Sequence, residues 1–415
     1  MAVAKGSSPR NSPPFRNGLE TKEYETSFRL AGRSTYLRID LDAILHNVRT
    51  LQNRCSPNTD VIAVIKGNAY GHGSAQVAKH LEANGVNHFA VVTPGEGVIL
   101  RKSKVAGSIQ CLGNAVEEDI QQQMTHNLIP TVANVEFLNA WARAKTEMNN
   151  ENGDAVRPVV IKVDTGMSRN GCQPKELQTL LKVCEDKDIP VHSVMTHFAQ
   201  AWEDHQFTQK QLDAFLSVTD CIKNKDIKRH VANSAAIING FGTNLDFVRP
   251  GICMYGQPPD TNEESMSKIR ALGLRPTISW IAHPSLVKSL DPGTYVGYDK
   301  TYRCATKETI ATFSLGYADG FRRCLSGKYH FTDPKDTLHP VVGRVSMDAV
   351  TVRLNKAVPL TTPFYVLRDD YDSCNSVRRV AAQLDTVPYE VLTSLDSRLP
   401  RVYVAGGAIK SVVRS

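Results

Sequence analysis

The sequence predicts an α/β fold: a (β/α)8 barrel of the TIM type, followed by a C-terminal β-rich domain. Three observations predict it. Eight short apolar runs alternate with helical patterns between residues 61 and 255. Beyond residue 272 the texture changes to short strands punctuated by Gly, Pro, Asp and Ser. No G-x-G-x-x-G opens any helix, which argues against the competing arrangement, a doubly wound open sheet.

In chain order, residues 1–32 are rich in Ser, Pro, Asn, Arg and Gly and predict a disordered leader. The leader is basic up to Glu20, which also suits a transit peptide, but few large apolar residues precede Phe28 to make an amphipathic helix. The barrel domain is expected over 33–272. Residues 36–41 alternate as a strand, and helical spacing follows from Asp42. The eight barrel runs are 61–65, 88–92, 108–112, 128–132, 158–163, 191–196, 230–232 and 247–248. Between them, stretches such as 74–85 and 176–186 carry apolar residues at i, i+3 and i+4. In the C-terminal domain, 273–415, strands are expected at 278–282, 285–288, 309–315, 340–344, 349–354, 364–367, 401–405 and 409–413, with one helix near 376–384.

Composition excludes several function classes. Lys and Arg number 49 against 42 Asp and Glu, a net charge of +7 spread along 415 residues. The clusters at 101–104 and 223–229 are short and read as solvated faces, so no nucleic-acid partner is expected. No apolar run reaches the roughly 18 residues that span a bilayer, and no secretory signal is present, so no membrane partner is expected. Nine scattered cysteines, an odd number with no C-x-x-C pair, argue against a disulfide framework or a zinc site. They point to a reducing, cytoplasmic setting and to no metal.

A barrel places its chemistry at the C-terminal ends of its strands. The first run, Val61-Ile-Ala-Val-Ile, ends in Lys66, with Tyr70 four residues on. The fifth ends in Lys162 and leads to Arg169, the sixth in Thr196-His197, the seventh in Asn233-Ser234, and the eighth in Arg249-Pro-Gly251-Ile252. Any one of these has an ordinary structural reading, such as a solvated lysine before a Gly-rich turn. Converging on one barrel mouth, they read as a site. The Ser234 hydroxyl, the amides around Gly251 and Ile252 and the Tyr70 phenol suit a phosphate. With a strand-end lysine and histidine, they point to pyridoxal 5′-phosphate on Lys66.

At this point the sequence resembles the alanine racemase family, the fold-type-III pyridoxal phosphate enzymes. The resemblance covers residues 36 to about 403. It rests on Ala63-Val-Ile-Lys66-Gly-Asn-Ala-Tyr70-Gly-His-Gly, Lys162-Val-Asp-Thr-Gly-Met-Ser-Arg169, Thr196-His197-Phe, Asn233-Ser234 and Val248-Arg249-Pro-Gly-Ile, and on Gly297-Tyr298-Asp, Gly316-Tyr317-Ala-Asp-Gly and Ser346-Met347-Asp348. It implies a homodimer with shared active sites and a small amino-acid substrate. Lys66 and Tyr298 of the neighbouring subunit would be two bases on opposite faces of the substrate. A phenol needs support to act as a base near neutral pH. By resemblance His197 supplies that hydrogen bond, with an arginine behind it. By the same resemblance Arg249 would face the pyridine nitrogen, where a guanidinium can only donate. The resemblance would also set Arg169 near the cofactor O3′ and the substrate carboxylate. It would have Met347 of the neighbouring subunit offer its backbone N–H to that carboxylate, with Asp348 beside it and Tyr317 in support. Lys162, carbamylated in some relatives, would hold Arg169.

Two departures bear on the substrate. Ser397 stands where some relatives carry a tyrosine that narrows the pocket, and Gln200-Ala-Trp202-Glu203 is bulkier than usual. Alanine racemisation is the leading expectation, and a serine or broad-spectrum racemase is the alternative. A non-catalytic pyridoxal phosphate carrier is the reading from another class, and the presence of Tyr298, Met347 and Asp348 argues against it.

Overall fold

The computed structural model describes residues 19–152 and 157–414. Residues 1–18, the greater part of the expected leader, lie outside the described residues.

The chain enters through a helix, α1 (Leu19–Ala31). This corrects the expectation of a disordered leader up to residue 32. Tyr24, Phe28 and Ala31 stand at i, i+4 and i+7 and meet one apolar patch with Tyr36, Ile281, Tyr365 and Val402. The Phe28 ring stacks on His283 with centroids 4.3 Å apart. The polar composition hid a helix that is stabilised by docking rather than by its own propensity.

Strand β1 (Thr35–Asp40) follows. The expected boundary groups it with the barrel, but it lies in the other sheet. It pairs antiparallel with β10 (Ile278–Ala282) and parallel with β19 (Arg401–Ala405). The chain therefore threads the C-terminal sheet before it builds the barrel. Asp40 then caps helix Leu41–Gln52, its Oδ1 accepting the Ala43 amide at 2.8 Å.

Eight parallel strands close the barrel in chain order: β2 (Asp60–Val64), β3 (His88–Val91), β4 (Ser108–Asn114), β5 (Ile129–Val132), β6 (Val159–Lys162), β7 (Val191–Met195), β8 (Lys228–Asn233) and β9 (Phe247–Arg249). All eight expected runs are strands. They read as unbroken apolar runs because both faces are buried, against helices outside and side chains within.

The rest is β-rich, as expected. The seven-stranded sheet runs β16-β15-β18-β10-β1-β19-β20, with β15 (His330–Thr332), β16 (Leu338–Pro340), β18 (Phe364–Leu367) and β20 (Ala408–Val413). A three-stranded sheet joins β11 (Pro284–Leu290), β14 (Glu308–Phe313) and β17 (Val350–Leu354), and β12 (Tyr295–Val296) pairs with β13 (Tyr302–Arg303). The expected helix is present as Val377–Gln383. A second one, Pro388–Thr393, was not expected; Pro388 starts it at a position where the missing N–H costs nothing. Among the described residues no helix is long and apolar enough to cross a membrane.

The docking of α1 is testable. Phe28→Ala should lower unfolding stability by about 1–3 kcal/mol, short of the cost at a fully buried site because Phe28 is half-buried. Urea unfolding measures it, and an unchanged midpoint would mean that α1 contributes no docking energy.

Candidate active site

A cavity of about 500 Å³ opens where the barrel strands end, within the roughly 300–1,000 Å³ usual for ligand pockets. It is lined by Lys66, Tyr70, Lys162, Arg169, His197, Asn233, Ser234, Arg249, Gly251 and Ile252. Among the described residues, no carboxylate joins that lining.

Lys66 stands two residues beyond the end of β2, after Ile65. The four residues after it, Gly67, Asn68, Ala69 and Tyr70, all have left-handed φ, between 50° and 60°. This turn carries Lys66 and Tyr70 to the same cavity. It is held from several sides. The Ala69 amide donates to Ile65 O at 2.8 Å, and Asn68 Oδ1 accepts the Ser74 amide at 2.9 Å. Buried His72 places Nδ1 3.0 Å from the carbonyls of Ala69 and Tyr70, so that nitrogen carries the proton, and its Nε2 pairs with the Thr277 hydroxyl at 2.7 Å. Gly71 sits at φ +81°, where a Cβ would come within 2.3 Å of Leu392 O. Burial lowers the Lys66 pKa, Arg169 lowers it further, and Glu96 opposes both.

At the far wall, Arg249 is buried. It donates to Thr196 O at 2.7 Å, Val231 O at 3.0 Å and His230 Nδ1 at 2.5 Å, and reaches His197 Nδ1 at 3.5 Å. Burial pulls the guanidinium down to about 9, still protonated at neutral pH. Burial and then Arg249 hold the His197 pKa well below its ordinary value, so the ring is neutral. With Nδ1 facing a donor, His197 keeps its proton on Nε2.

Ser234 Oγ accepts the amides of Gly251 at 2.8 Å and Cys253 at 3.3 Å. The Gly251 amide, expected to face an anion, is therefore engaged by Ser234. Both acceptor positions of the hydroxyl are used, and its own proton is what it can offer the cavity. Asn233 caps the next helix through the Ala236 amide at 3.0 Å.

The loop after β6 is folded around Asp164, whose Oδ1 accepts the amides of Gly166, Met167 and Ser168 at 2.9, 3.0 and 3.1 Å. This presents Arg169 at the cavity. Lys162 hydrogen-bonds Asn170, the neighbour of Arg169. Burial, then Arg249 and Arg169, bring the Lys162 pKa down to about 8.

Tyr298, Tyr317, Met347 and Asp348 are not among the residues that line this cavity. Tyr298 is 69% exposed and Met347 53%. They belong to neighbouring loops of the C-terminal domain: the Tyr317 amide donates to Ser346 O and the Ala318 amide to Met347 O, each at 3.1 Å. Asp348 pairs with Arg398 at 2.6 Å. Ser397 is exposed and does not line the cavity, whereas Gln200 and Trp202 do.

Three residues escaped the sequence reading. Tyr389 lines the cavity from the unexpected helix, its ring 6.0 Å from that of Tyr70. His230 stands behind Arg249. Glu96 accepts the Gly67 amide at 2.6 Å. The Pro before Tyr389 and the Thr93-x-x-Glu96 capping box were signals that could have found two of them.

Comparison with known proteins points to one family. Residues 39–259 match the family model "Alanine racemase, N-terminal domain" and 277–403 match "Alanine racemase, C-terminal domain". The chain is 34% identical over 380 residues to an alanine racemase of Macrococcus caseolyticus, covering 91% of this chain and 97% of that one. Its fold matches the alanine racemase of Clostridium difficile with a TM-score of 0.84 at 30% identity, covering 92% and 98% of the two chains. The Bartonella henselae alanine racemase, solved with covalently bound pyridoxal phosphate, matches with a TM-score of 0.76 at 29% identity, covering 89% and 99%.

The buried imidazoles have a consequence for stability. Burial depresses the His72 pKa to about 4, against about 6.5 in the unfolded chain. Between those values the unfolded chain takes up a proton that the folded ring refuses. Stability therefore falls as pH drops through that window and levels off below it, by on the order of 3 kcal/mol for this ring. Urea midpoints between pH 7 and pH 4 should fall in this way, and His72→Gln should flatten the slope. A midpoint independent of pH would refute the assignment of a neutral, buried ring.

Proposed function

The chain belongs to the alanine racemase family, and from that premise we propose that it interconverts L-alanine and D-alanine with pyridoxal 5′-phosphate held at Lys66. The observation that carries the reading is the convergence of the Lys66 amine, Arg169, Arg249 and the Ser234 hydroxyl on one cavity that, among the described residues, no carboxylate lines. A ligand bearing a phosphate and a carboxylate suits that charge.

The residues fit the cofactor. The lowered pKa of Lys66 favours the neutral amine that attaches an aldehyde. Ser234 has a proton to give to a phosphate, with Tyr70, Asn233 and Ile252 around it. Gly251 must lack a side chain, because a Cβ would lie 2.6 Å from the Tyr70 hydroxyl. Arg249 stays charged and would donate to the ring nitrogen. When bound, the cofactor would withdraw electrons from the substrate Cα and make its proton acidic.

The chain's own groups then move that proton. Lys66 Nζ takes or returns it on one face of Cα. On the other face we assign Tyr298 of a second copy, consistent with its exposure and with its absence from its own chain's cavity. His197 supports that phenol through Nε2–H. Arg169 orients the substrate carboxylate, and the Lys162–Asn170 bond steadies its loop. Tyr317, Met347 and Asp348 of the second copy would close the carboxylate side. The functional unit is therefore a homodimer with shared sites. All nine cysteines are free, which supports a reducing, cytoplasmic setting.

Complementation tests the shared site. Lys66→Ala should lose both racemisation and the visible absorbance of bound cofactor, and Tyr298→Phe should lose racemisation alone. Unfolding and refolding the two variants together should restore roughly a quarter of wild-type activity, because half of the dimers are hybrids with one intact site. A site complete within one chain would restore none.

Substrate choice is a second measurement. Gln200 and Trp202 in the cavity wall favour testing serine beside alanine, since one methylene-sized contact changes discrimination by only about 1–3 kcal/mol. Chiral chromatography should give a higher kcat/KM for L-alanine than for L-serine. Serine above alanine would establish the serine or broad-spectrum reading, and cofactor binding without racemisation would establish a carrier.

A further inference from the structure

Glu96 sits at the third position of helix Pro94–Lys102, behind its cap Thr93. One carboxylate oxygen serves that helix end, with Oε2 accepting the amides of Val92 at 2.7 Å and Thr93 at 3.2 Å, while Thr93 Oγ1 accepts the Glu96 amide at 3.4 Å. A capping box asks no more of the residue. Yet Oε1 reaches across to the end of β2 and accepts the Gly67 amide at 2.6 Å. That amide belongs to the residue after Lys66 and is the first of the left-handed turn. The turn's internal bonds begin two residues later, at the Ala69 amide, so its first N–H needs a partner from outside. A carboxylate supplies a short, charge-assisted one.

We propose that Glu96 is a positioning residue for Lys66: its carboxylate clamps the Gly67 amide to the end of β3 and so fixes the direction in which the lysine leaves the barrel strand. The proposal rests on the reading that Lys66 carries pyridoxal 5′-phosphate. In that attachment Nζ adds to the aldehyde carbon, and the carbonyl oxygen leaves as water with the two amine protons. The rate depends on where Nζ is held and on how much of it is neutral. Within the cavity Lys66 is faced by Arg169, Lys162 and His197, and from the helix after β3 by Glu96, whose charge works against the lowering of the lysine pKa.

The test uses the full chain, stripped of cofactor by hydroxylamine, with pyridoxal 5′-phosphate added back. Visible absorbance follows attachment as a function of pH, and borohydride fixation with mass analysis locates it. In Glu96→Gln the plateau rate should fall on the order of tenfold to a hundredfold, the scale of an ångström-sized misplacement. Its pH midpoint should move to lower pH, because the carboxylate that favours the ammonium is gone. Thr93→Ala removes a helix-cap bond but leaves the clamp, and should keep the wild-type rate and midpoint. Glu96→Asp keeps the charge but shortens the reach. It should keep the midpoint and lose rate, and it carries the test if the Gln variant does not fold by circular dichroism. Wild-type rate and midpoint in either Glu96 variant would overturn the clamp, as would Thr93→Ala reproducing the loss. A wild-type chain that takes up no cofactor would instead overturn the reading of Lys66, and this proposal with it.

Discussion

The arrangement of the site depends on a backbone that L-residues avoid. Asn68, Ala69 and Tyr70 hold φ of 53°, 55° and 50° in succession. Left-handed helical conformation costs roughly 1–2 kcal/mol per residue, so three consecutive non-glycine residues store several kcal/mol. Such a turn persists only where its surroundings over-determine it. Here they do so from both domains. The barrel contributes Glu96 and the Ser74 amide. The C-terminal domain contributes Arg401, which donates to Gly71 O at 2.9 Å, and the helix end at Leu392 that packs against Gly71. His72, fixed by Thr277, locks the carbonyls of Ala69 and Tyr70. The lysine and the tyrosine are therefore aimed by the junction of two domains.

The second constraint is charge. Lys66, Lys162, Arg169 and Arg249 share a cavity that, among the described residues, no carboxylate lines. Each cation raises the cost of the others: burial first, and then the neighbouring cations, lower the pKa values of both lysines and of His197. Glu96 and Asp164 offset part of this from outside the lining, and like charges that outnumber their counterions destabilise a fold until a ligand neutralises them. An anionic ligand would oppose the part of these shifts that the cations cause, so binding and protonation at this mouth are linked. The arrangement is one of a site preorganised for negative charge.

Much of this was legible in the sequence because barrel strands, buried on both faces, are unbroken apolar runs. A polar residue that ends such a run is conspicuous, and Lys66, Lys162, His197, Ser234 and Arg249 all reached one cavity. What was illegible depended on tertiary packing. Nothing in Ala69 or Tyr70 announces positive φ, which is set by the clamps around them. Glu96 looks like an ordinary helix cap until its second oxygen is followed. Tyr389 rides on a helix of six residues, too short to show a period. The spacing of Tyr24, Phe28 and Ala31 was present in α1 but was outweighed by a leader's polar composition. Tyr298 and Met347 came from the family resemblance, since a tyrosine in a Gly-Tyr-Asp turn otherwise reads as a packed loop aromatic.

The structure gives that tyrosine a different character. Tyr298 sits between Gly297 and Asp299, and Asp299 and Lys300 both have left-handed φ, 60° and 53°. Asp299 is braced by Arg344 at 3.4 Å and Arg323 at 3.9 Å. A loop that stores backbone strain and is held by two arginines is a built feature, yet the phenol it carries is largely exposed. Within one chain that expenditure has no return, because the aromatic ring buries little and does not line its own cavity. Strain held in place by surrounding contacts is a feature of functional sites. The Lys66 turn and the Tyr298 loop are two such constructions in one molecule. One faces a cavity and the other faces outward, the arrangement expected if each chain supplies half of two sites.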